Sequence, residues 1–112
     1  MLAAVDPKGE STSTDLLNFP LKINKVEAEA VFDTLSSLNF MTRDEASRLR
    51  LGWVTRSSVV TLGDGNAKLK TIGQVTARVK VHGKAPTPIT FEIVESLVVP
   101  IIIGLTGGEV LG

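Results

Sequence analysis

The chain has 112 residues, 43% of them hydrophobic, with twelve basic residues against twelve acidic ones and no cysteine. That size and apolar share suit one small globular domain, and the charge balance leaves no field to draw in nucleic acid or an anionic membrane. Disulfides, thiol catalysis and thiolate metal sites are excluded outright. Residues 1–15 read as a flexible polar arm, because Pro7, Gly9 and the run Ser11 to Thr14 offer nothing to pack. The folded domain is expected over residues 16–112. Phe19, Leu21 and Ile23 alternate with Pro20 and Lys22, the two-residue period of a strand. Asn24-Lys25 suits a two-residue turn, since Asn tolerates left-handed backbone. Val26, Ala28, Ala30 and Phe32 then alternate again, giving a hairpin that delivers the chain to Asp33.

After Asp33 the period changes. Thr42 with Glu45 three residues on is a capping box, Met41 and Ala46 form its hydrophobic staple, and Gly52 marks a C-terminal stop. One short helix is therefore expected over 43–51. Strands follow: Val59 to Leu62, the turn Gly63-Asp64-Gly65-Asn66, Ala67 to Ile72, Val75 to Val81, a turn at His82-Gly83-Lys84, Ile89 to Ile93, and the apolar run Val98 to Ile103. The last reads as a strand buried on both faces. About seven short strands and one helix indicate an all-β domain, a small closed barrel or folded sheet.

Three segments together resemble the retropepsin-like (retroviral and retrotransposon-type) aspartic protease family. The first, Ala30-Val31-Phe32-Asp33-Thr34-Leu35-Ser36-Ser37, is similar to the family's apolar run followed by Asp-Thr-Gly or Asp-Ser-Gly. The second, Leu62-Gly63-Asp64-Gly65, is close to the flap sequence. The third, Ile101-Ile102-Ile103-Gly104-Leu105, resembles the apolar-apolar-Gly segment behind the catalytic loop. The resemblance spans about Leu17 to Leu111 and implies a retropepsin-type barrel. It also implies a homodimer with one catalytic Asp33 per subunit, an active-site loop of Thr34, Leu35 and Ser36, and a flap at Gly63, Asp64 and Gly65. The Thr34 hydroxyl would bond across the dimer, and Ser36 would leave room for substrate. Peptide hydrolysis by this route needs one carboxylate as base and one carboxylic acid as electrophile, which two carboxylates sharing a proton provide. Activity would then require dimerisation and favour mildly acidic pH.

The sequence departs from the family at several points. Leu35 stands where the signature has glycine, whose missing side chain lets substrate backbone lie against the loop. Ser37 and Leu105 replace a charged pair frequent in retroviral members, and Thr106 replaces a frequent Asp or Asn. A final interface strand is not expected after Leu111, which would leave any dimer to other contacts such as the N-terminal arm. Two readings follow: an aspartic endopeptidase, or a catalytically silent domain serving dimerisation or peptide binding. A third is an unrelated β-barrel binding module.

The remaining candidates have plainer readings. His82 sits in a turn without clustered carboxylates, so no metal site is expected, and no cofactor is implied. Trp53 reads as a packing residue. Lys68, Lys70, Arg78 and Lys80, like Glu27 and Glu29, read as solvated strand faces. The glycines of Gly104 to Gly108 lack the Lys-Ser/Thr of a phosphate-binding loop. The longest apolar stretch, Leu97 to Leu105, contains Pro100 and is too short to span a bilayer. No signal peptide is visible, so the cytoplasm is the default compartment. The expected partners are a peptide or protein substrate and a second copy of the chain.

Overall fold

Asn24 and Lys25 both adopt left-handed backbone, with φ of 47° and 73°. This is the two-residue geometry whose twist matches paired strands. It joins β1 (Leu17–Ile23) to β2 (Val26–Phe32) in register, from Ile23 opposite Val26 to Leu17 opposite Phe32. A computed structural model of the chain describes residues 17–33, 36–61 and 68–111. The remaining elements are β3 (Phe40–Thr42), α1 (Arg43–Arg48), β4 (Val54–Thr61), β5 (Lys68–Lys80), β6 (Thr87–Val94), β7 (Ile101–Ile103) and α2 (Leu105–Leu111). The residue 1–15 arm lies outside the described residues.

The strands form a seven-stranded sheet in the order β1-β2-β7-β3-β6-β5-β4. β1 also pairs with β5 through Lys22 opposite Lys80 and Ile23 opposite Val79, so the pairings run round a ring whose seam is two residue pairs long. The architecture is mostly β with few helices. Alternation sets its core: Leu21 and Ile23, Ala28 and Ala30, Ala77 and Val79, and Ile89, Phe91 and Ile93 all point inward and are buried with Ile101 and Ile103. Each fully buried Ile or Phe contributes roughly 1.5–3 kcal/mol relative to exposure. A second cluster of Phe40, Val94 and Ile102 is joined by the half-buried Leu38, Val60, Leu69, Leu97 and Val99.

Several expectations change in three dimensions. The strand signals at Ala67 to Ile72 and Val75 to Val81 belong to one thirteen-residue strand, β5, which pairs first with β4 and then with β6. Gly73 lies in its middle, where a Cβ would stand 2.0 Å from the ring of Trp53, so the glycine makes room for the indole. β4 begins at Val54, earlier than its apolar residues suggest, and has a register shift between Thr55 and Ser58. Only Ile101–Ile103 of the last apolar run is strand, and Val98 is 70% exposed.

The helix of the sequence reading is also shorter than expected. The Thr42 hydroxyl accepts from the Glu45 N–H at 3.1 Å, but the reciprocal half of a capping box is missing. Thr42 N–H donates to Pro100 O instead, and the Glu45 carboxylate takes two bonds from Arg48, at 2.8 and 2.7 Å. That hydrogen bond holds the Arg48 guanidinium above its ordinary pKa. Gly52 does not stop the helix. Arg50 takes the left-handed position, with φ of 58°, while Arg50 N–H bonds Ser47 O and Leu51 N–H bonds Ala46 O. These two bonds define a Schellman ending, completed by the buried Leu51 and Ala46.

The second helix, α2, corrects the expectation of a single one. Its glycines oppose helix formation by propensity, but they fit where side chains would not. A Cβ on Gly107 would meet Asn39 Oδ1 at 2.3 Å, and one on Gly108 the Phe32 ring at 2.3 Å. No helix among the described residues is long and apolar enough to cross a membrane.

Candidate active site

β7 lies between β2 and β3, parallel to the first and antiparallel to the second. The connection from β2 to β3 must therefore cross the end of β7, and Asp33 is its first residue. Asp33 is 4% exposed. Its main-chain N–H donates to Ile103 O at 3.0 Å, and its carbonyl accepts from Ser36 N–H at 3.2 Å. The start of the connection is thus fixed to β7, and Ser36 is bonded back to Asp33.

The rest of the connection is bound to the start of α2. Leu105 N–H donates to Ser36 O at 2.8 Å, and the Ser36 hydroxyl donates to Leu38 O at 2.7 Å. The Thr106 hydroxyl donates to Ser37 O at 2.7 Å. Asn39 is the center of the strap. Its side-chain oxygen accepts from Gly104 N–H at 2.9 Å, its side-chain nitrogen donates to Thr90 O at 3.1 Å, and its carbonyl accepts from Glu92 N–H at 2.8 Å. Gly104 is the close approach: a Cβ there would lie 2.2 Å from Leu38 O and 2.6 Å from Ser36 O.

Of the residues singled out in the sequence, Asp33 and Ser36 are buried side by side in this loop. Thr34, Leu35, Gly63, Asp64 and Gly65 lie outside the described residues. The strands flanking the last three are described. Thr61 is opposite Lys68 and Val60 opposite Leu69, and β4 is exposed along nearly its whole length. Val60 and Leu69 rest on the second apolar cluster, above Phe40 and Ile102. Asn39 and α2 were not visible as parts of the site from sequence. The available signal was a lone Asn between Leu38 and Phe40 in an otherwise apolar stretch. Among the described residues no three His, Asp or Glu side chains form a metal-binding group.

No family model matches the chain, and no curated protein matches it. Among solved structures, the retroviral protease-like domain of Ddi1 from Leishmania major is similar, with a TM-score of 0.62 and 23% identity over 84% of this chain and 71% of that one. A Legionella pneumophila protein of unknown function aligns with a TM-score of 0.46 and 10% identity, over 78% of this chain and 79% of that one. The first likeness defines the fold as retropepsin-like.

Proposed function

We propose that the chain is a retropepsin-type aspartic endopeptidase that works as a homodimer, each subunit supplying one Asp33. The observation that carries this reading is the placement of Asp33, buried at the end of β2 and bonded through its main chain to β7. A carboxylate whose main chain is anchored in this way would be held in place for its symmetry mate, as positioned catalysis requires. Two carboxylates brought to close range in such a dimer would not both ionise easily, so one would carry a proton. The ionised member deprotonates water, and the protonated one polarises the scissile carbonyl. The β4–β5 hairpin would cover the substrate. Its Val60 and Leu69, with the half-buried Leu97 and Val99, favour apolar side chains beside the scissile bond.

Leu35 in place of the signature glycine favours a second reading, a silenced domain that binds peptides or dimerises without cleaving. Cleavage of a mixed peptide library from pH 4 to 7, at high protein concentration, separates the two. The native chain runs beside Leu35→Gly and Asp33→Asn. Cleavage by the native chain but not by Asp33→Asn supports the protease. Cleavage by Leu35→Gly alone supports the silenced domain. Silence from all three removes the enzymatic reading.

A further inference from the structure

At the far end of β2 from Asp33, four cationic residues line one cavity. Lys22, Asn24, Lys25, Arg78, Lys80 and Pro86 line a cavity of about 520 Å³, and no carboxylate is among the described residues that line it. The chain as a whole is neutral, so this concentration is a local asymmetry. Lys22 and Lys80 are direct partners across the β1–β5 seam. Like charges placed opposite each other on paired strands are destabilising. Arg78 lies two residues before Lys80 on β5, on the same face, because side chains alternate along a strand. The ion pairs among the described residues are Arg43–Glu95 and Arg48–Glu45, so none of the four cations is neutralised by one. Glu27, opposite Lys22 on β2, lines a neighbouring cavity together with Lys22, Lys80 and His82.

Lys25 adds a separate observation. Its φ of 73° is one that glycine adopts without strain and that costs other residues on the order of 1 kcal/mol. The turn nevertheless presents a lysine there, with the cavity beside it. Asn24 fixes this turn to β5, accepting from Arg78 N–H at 2.9 Å and donating its own N–H to Arg78 O at 2.8 Å. The two halves of the cation cluster therefore hold a set geometry.

We infer that this cavity binds the phosphate group of a small ligand, either free phosphate or a phosphate monoester. Three ammonium groups and a guanidinium match a dianion with several acceptor oxygens better than a single carboxylate. A half-open cavity, in a chain whose other charges are mostly acidic, suits a small molecule and not a polymer, which would need an extended basic stripe. The cavity is large enough for an organic portion beyond the phosphate. The site is independent of the proposed protease chemistry.

Isothermal titration with inorganic phosphate and with adenosine monophosphate, at constant ionic strength set with chloride, tests this. Saturable binding is expected, weakened about tenfold or more by Lys22→Gln with Lys80→Gln and unchanged by Lys68→Gln with Lys70→Gln on the distant hairpin. Tighter binding of the monophosphate identifies an ester as the ligand; equal binding identifies phosphate alone. Lys25→Gly gives a second readout. It should hold or raise the melting temperature of the unliganded protein while weakening phosphate binding, which a purely structural lysine would not do. Absence of saturable binding, or equal binding by the Lys22/Lys80 variant, overturns the inference.

Discussion

The main-chain N–H of Gly104 donates to the side-chain oxygen of Asn39 across 2.9 Å, joining residues 65 positions apart in the sequence. This bond ties the loop that carries Asp33 to the end of β7. Asn39→Ala removes the buried acceptor and leaves a main-chain donor without it. The expected loss is about 2–3 kcal/mol in urea unfolding, with the slope unchanged. A loss below about 0.5 kcal/mol would mean that water replaces the amide.

The three glycines at this junction should differ in their tolerance of alanine. Gly104→Ala drives a methyl group into two main-chain carbonyls, which cannot move without breaking the strap. It should cost about 3 kcal/mol or leave the protein unfolded. Gly107→Ala meets the fixed amide of Asn39 and should cost somewhat less. Gly108→Ala meets only the ring of Phe32, and alanine's better helix propensity offsets part of that clash. Thermal unfolding of the three variants gives the ranking; equal effects would contradict it.

The end of α1 offers a stabilising substitution. Arg50 holds a left-handed φ in a Schellman ending, and Arg50→Gly relieves that conformation. A gain of about 0.5–1 kcal/mol is expected in chemical denaturation. Gly52 has open space around its Cβ position and no left-handed backbone, so Gly52→Ala should change stability by less than about 0.5 kcal/mol. The reverse pattern would restore Gly52 as the stop.

The proposed sharing of Asp33 between two subunits has a kinetic consequence that folding measurements do not. If native protein cleaves peptide, its specific activity should rise with concentration until the dimer saturates. Adding a tenfold excess of folded Asp33→Asn chain should suppress the activity by about that factor, because nearly every native subunit is then in a mixed dimer. Activity per native chain that ignores the excess would show that one Asp33 suffices.

Local chemistry made much of the fold legible. The two-residue period around Asn24-Lys25 places β1 and β2, since alternation is the only pattern that buries one face of a strand. Thr42 caps α1, since its hydroxyl needs only a neighbour three residues on. Asp33 at a strand end was likewise readable in order and spacing. By contrast, the insertion of β7 between β2 and β3 depends on partners about 60 to 70 residues away, and no local period encodes it. The tertiary structure also decided α2, whose glycines look like a loop until Asn39 and Phe32 occupy the space that side chains would need. The cation cluster arose the same way. Lys22 and Lys80 are ordinary solvated lysines in sequence, and only the closing of the β1–β5 seam brings their charges together.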